Sequence, residues 1–155
     1  MAGLFVSLFA AAAVQAAAAP APVPDFSGLW TLDPARSDML RDNRAIDRQI
    51  RISQDGANFR VGPAPAPGAV RVSSEVDGPT PRDAAGHRAY WEGPAMVTEQ
   101  QLEVSGTAVT IRQERTLSAP AEMLVETQVM FHHGYNPGEP LPSGVARDTY
   151  VRSAR

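Results

Sequence analysis

The chain has 155 residues, a length that suits one domain, with 14 basic and 17 acidic residues and a formal net charge of −3. That balance argues against a nucleic-acid-binding domain, since such domains are ordinarily basic. There are no cysteines, which excludes disulfides, thiolate metal sites, a cysteine nucleophile and a cysteine-linked lipid anchor.

Residues 1–24 carry no charge, so every charged side chain lies from Asp25 onward. A short apolar run from Ala2 to Ala13 is followed by the small residues Ala16 to Ala19 and then Pro20. This is the layout of a secretory signal over 1–18, cut after Ala16 or Ala18, because Pro20 would obstruct a cut after Ala19. No Lys or Arg precedes the run, which departs from the usual signal. The alternative is a membrane anchor: Ala2 to Ala19 is at the short end of the about 17–25 residues that span a bilayer. No basic stop-transfer cluster follows it, so the expectation is an extracytoplasmic protein, periplasmic or secreted, with no stable membrane span after cleavage. Residues 19–24 alternate Pro and small residues and read as a stiff Pro/Ala linker. The domain is expected over 25–155.

Phe26, Gly28, Trp30 and Leu32 share one parity, so a first strand here places two aromatics and a leucine on one face. Gly28 leaves room for a neighbour to approach beside Trp30. Asp33-Pro34 stops the strand and starts a short helical segment, with Asp33 as N-cap and Pro34 at the first helical position. Beyond it, Met39, Leu40 and Ile46 would line one side of one or two helical turns, as a lid at one end of a sheet or as a solvated connector.

From Arg48 the period switches to two. Ile50 and Ile52 lead to Asp55-Gly56, a strong hairpin signal, and Phe59 and Val61 return. Gly62 to Gly68 is too rich in Pro to continue a ladder and is expected to be an exposed loop. Val70, Val72, Ser74 and Val76 form the next strand, ended by Asp77 to Pro81, and Ala89 to Glu92 is a short one ended by Gly93-Pro94. Met96–Val104, Ala108–Leu117 and Met123–Phe131 are the clearest strands, each with one apolar and one polar face. Residues 132–144 read as a Gly/Pro-rich loop and Val145–Arg152 as the last strand. Eight or nine nearest-neighbour strands with almost no helix imply an all-β, antiparallel up-and-down barrel, since closure removes exposed edges.

The core-facing positions are not all apolar. Gln54, Ser74, Gln100, Gln113, Arg115 and Thr127 share the parity of apolar neighbours, and buried polar groups need partners. Either they surround a ligand cavity, or they lie near strand ends, satisfy one another, or are re-aimed by bulges. Signals for chemistry are weak. His132 and His133 are adjacent, so on a strand they point to opposite faces, and with His87 they form no metal-ligand spacing. No Gly-x-Ser-x-Gly elbow, P-loop or Gly-x-Gly-x-x-Gly occurs, and Glu99 and Glu103 lie on the solvent parity. No catalytic residue, metal or cofactor is assigned.

The Gly28-Leu29-Trp30 triplet is similar to the first-strand motif of lipocalins and the wider calycin group. That resemblance implies that Trp30 closes the barrel floor and packs against an arginine of the last strand, Arg147 or Arg152. The longer string Phe26 to Ser37 resembles the opening of small secreted bacterial lipocalin-like proteins, and Trp91-Glu92-Gly93 and Arg115-Thr116-Leu117-Ser118 resemble strand ends in that group. The lipocalin Thr-Asp-Tyr motif is absent. The expectation is an exported, non-catalytic protein that binds a small apolar or amphipathic ligand through Trp30, Gln100, Gln113 and Arg115. Two alternatives stand beside it. One is a filled barrel that engages an envelope protein through loops 62–69 and 132–144. The other is an isomerase or hydrolase using His87 or His132 at the barrel mouth.

Overall fold

The computed structural model describes residues 23–38, 47–64, 75–132 and 141–153, with 141–143 in backbone only. The signal and most of the linker, Met39, Leu40, Ile46, His133 and the greater part of the expected 70–76 strand lie outside them.

Nine strands make one antiparallel sheet: β1 (Gly28–Asp33), β2 (Gln49–Asp55), β3 (Asn58–Pro63), β4 (Val76–Gly78), β5 (His87–Glu92), β6 (Ala95–Val104), β7 (Thr107–Ala119), β8 (Glu122–His132) and β9 (Leu141–Arg152). Consecutive strands pair except β4 with β5, and β1 pairs with both β2 and β9. The two remaining edges, β4 and β5, are brought together by a bridge between Thr80 and Ala89, with N–H···O distances of 2.8 and 3.3 Å. The result is a nearly closed up-and-down barrel. The expected helical segment is a single 3-10 turn, Pro34–Arg36, capped by Asp33, whose carboxylate accepts from the Ala35 N–H at 3.0 Å. The last strand starts at Leu141, four residues before the alternating run that marks it in the sequence.

The floor is aromatic and aliphatic. Phe26, Trp30, Ile52, Met96 and Met123 are fully buried there, and Trp91 packs on Phe26 and Phe59 with ring centroids 5.9 and 5.3 Å apart. Trp30 and Arg152 are direct cross-strand partners, and the Arg152 guanidinium sits 4.6 Å above the Trp30 ring. Arg147 faces the other way and pairs with Glu126 at 2.5 Å. Gly28 lies beside this stack: its φ of +136° is one that side chains disfavour, while a Cβ there would only be in ordinary contact with the Arg152 stem at 3.5 Å. The indole N–H donates to the Phe26 carbonyl at 2.8 Å, so the buried ring leaves no polar group unpaired. The outer face carries ion pairs instead, among them Arg82–Glu99 at 2.8 Å and Arg112 with both Glu92 and Glu114. A polar exterior around an apolar interior is the reverse of the lipid-facing band of membrane barrels.

Trp30 therefore carries a large share of the floor. Trp30→Ala is expected to lower the unfolding free energy in urea by about 3–5 kcal/mol. A loss below about 1 kcal/mol, the range of surface substitutions, would contradict its place at the centre of the core.

Candidate functional site

Alternate residues on neighbouring strands face the same side, so the register stacks the barrel interior in rows. Met96, Arg115, Val125 and Asp148 form one row across β6–β9. Thr98, Gln113, Thr127 and Ala146 form the next, and Gln100 and Ile111 the one after. Below the Arg115 row lies the apolar floor. Above it lies a cavity of about 270 Å³. On one side it is lined by Ile50, Val61 and Val76 of β2–β4, and on the other by Thr98, Gln100, Gln113, Arg115, Thr127 and Asp148, with Ile111 and Val125 among them.

Arg115 stands at the boundary and is only 5% exposed. Its terminal nitrogens donate to Thr98 Oγ1 at 2.9 Å and Gln113 Oε1 at 2.7 Å. Its Nε–H is buried without a partner, and among the described residues the guanidinium makes no ion pair. Burial pushes its pKa down to about 10, partly offset by the negative potential of Tyr150 and Asp47. It is still a cation at neutral pH. Tyr150, in the same cavity, donates to the Asp47 carbonyl at 3.0 Å. Its phenol is pushed up to about 12, first by burial and then by the nearby charge of Asp148. Burial at the cavity mouth raises Asp47 as well, against the pull of Arg115.

Gln100, Gln113, Arg115 and Thr127, read from the sequence as inward polar residues, meet on this one cavity. Gln100 is exposed at its rim, while Thr127 is buried deep in the wall. Gln54 does not join them. It is satisfied in the floor, accepting from the Phe26 N–H at 2.9 Å and donating to the Pro24 and Gly56 carbonyls. Ser74 lies outside the described residues. Trp30 is not among the lining residues and belongs to the floor beneath.

The structure adds Thr98, Asp148, Tyr150, Asp47 and His87 to the lining. Asp148 was legible only through its parity with Ala146 and Tyr150. His87 sits at the rim, 3.6 Å from Asp83. His132 bonds Thr110 at 2.9 Å on the outward parity, so the two histidines do not share a site. Glu99, at the cavity edge, is already engaged by Arg82 and by the Tyr90 hydroxyl at 2.8 Å. Among the described residues no three His, Asp or Glu side chains are grouped to hold a metal ion, and no helix is long and apolar enough to cross a membrane. No family model, curated protein or solved structure matches the chain.

The drop of Arg115 from 12.5 to about 10 means that folding disfavours its charged form, by roughly 3 kcal/mol at neutral pH. A depressed pKa in a base removes that penalty only as the pH rises past about 10, so it is present in full at pH 7. Arg115→Met keeps the volume and discards the charge. It is expected to raise stability at pH 7 by on the order of 2 kcal/mol in urea unfolding. A destabilised variant would show that the cation is compensated in the folded protein.

Proposed function

We propose that this barrel is an exported, non-catalytic binding protein that takes one small amphipathic molecule into the cavity above the Arg115 row. One observation carries the reading: polar side chains from β6, β7 and β8 converge on a single cavity whose opposite wall and floor are apolar. Ligand sites are built in this way, with a few placed polar groups in an apolar recess. A barrel of this strand number has room for one small ligand. The stacking of Arg152 on Trp30 supports the resemblance to lipocalin-like proteins, in which a first-strand tryptophan closes the floor. The volume bounds the ligand. At about 30 Å³ per water, the cavity has room for on the order of nine waters, or a compact molecule of about ten non-hydrogen atoms.

Native mass spectrometry of protein purified from an exporting bacterial host tests both halves of this proposal. The polypeptide is expected to begin after Ala16 or Ala18 and to carry a discrete added mass that leaves on denaturation. Thr127→Trp, which fills the cavity, is expected to abolish the added mass. An intact Met1 would refute signal cleavage, and an adduct retained by Thr127→Trp would place binding elsewhere.

A further inference from the structure

We infer that the group this cavity is built to hold is the carboxylate of a small monoanionic acid, seated against Arg115. The inference rests on the cavity reading above and narrows it to a chemical class.

A guanidinium has five N–H donors and no acceptor. Arg115 uses its two terminal nitrogens on neutral oxygens, Thr98 Oγ1 and Gln113 Oε1, and its Nε–H has no partner. Two features remain: a buried Nε–H without a partner, and a buried cation that makes no ion pair among the described residues, with Asp47 and Asp148 on the same cavity giving only a partial, indirect offset. Water or a neutral carbonyl answers the first alone. A carboxylate answers both, and its two oxygens match the planar fork of the guanidinium. Arg152 also has an unpartnered Nε–H, but it lies against the Trp30 ring and pairs with Asp25 at 3.8 Å, so the floor satisfies its charge.

The rest of the lining selects a single negative charge. Asp47 and Asp148 face the same cavity, so every negative charge on a ligand meets like charges there, and only the one seated on Arg115 is offset. A dianionic phosphate or phosphonate is disfavoured on that ground. Ile50, Val61, Ile111 and Val125 then suit a compact hydrocarbon body, as in an arylacetic or short branched acid.

Calorimetric titration of the mature protein at pH 7.5 with three probes of one size tests this: phenylacetate, its neutral isostere phenylacetamide, and the dianion phenylphosphonate. Phenylacetate is expected to bind about tenfold more tightly than the amide, the worth of a charge-assisted contact. The phosphonate is expected to bind more weakly than phenylacetate. In Arg115→Met the preference for the acid over the amide is expected to vanish while amide binding persists. Equal binding of acid and amide by the unsubstituted protein would overturn the anion assignment and leave the cavity reading standing. Tighter binding of the phosphonate would overturn the choice of a monoanion. Binding of none of the three would overturn both readings.

Discussion

The pairing of β1 with both β2 and β9 is the constraint from which the rest of the molecule follows. It joins the two halves of the sheet, whose edges β4 and β5 then meet through the Thr80–Ala89 bridge, and its register sets Trp30 opposite Arg152. The indole fills the bottom of the barrel, its N–H is satisfied by Phe26, and its face is covered by a guanidinium that itself reaches back to Asp25. Closure removes the exposed edges that would otherwise invite aggregation. It also brings β2 and β3 around to face β6–β8, which gives the apolar and polar walls of the cavity their opposition.

Stability and function pull apart along the barrel axis. The floor holds large apolar side chains, and the Trp30 indole N–H and the Gln54 amide there have backbone partners. One row higher, Arg115 is buried at a cost that its two neutral partners do not remove. On the proposed reading, the desolvated cation costs stability and is kept for the ligand it would meet. This is the physical content of the binding proposal. Asp148 and Tyr150 on β9 and Asp47 at the mouth complete a polar environment around that cation. It is a place where a ligand would exchange its hydration for fixed protein groups.

Much of this was legible in the sequence. Alternation along β6, β7 and β8, clearest on β7, indicated the inward parity, and Gln113, Arg115 and Thr127 stood out because they broke an otherwise apolar face. β9 was harder, because its valines point outward: Val145 and Val151 are 45% and 39% exposed, while Asp148 is 4% exposed. A hydrophobicity pattern turns such a strand inside out, and only its register against β8 restores the facing. The choice between Arg147 and Arg152 was open for a related reason, since it depends on which residue lies opposite Trp30. Asp47 reaches the cavity from a distant part of the chain, which local periodicity does not encode, while His87 comes in as the β5 partner of Gln100. Gln54 shows the opposite case, an inward polar residue whose partners are the backbone of the floor.

The most direct test of a ligand cavity above the Arg115 row is chemical-shift mapping of the isotopically labelled mature protein titrated with phenylacetate. The account predicts saturable shifts concentrated at Thr98, Gln113, Arg115, Thr127 and Asp148, with Trp30 and the floor unchanged. Shifts confined to the outer face or the strand connections, or no saturable shifts, would contradict it.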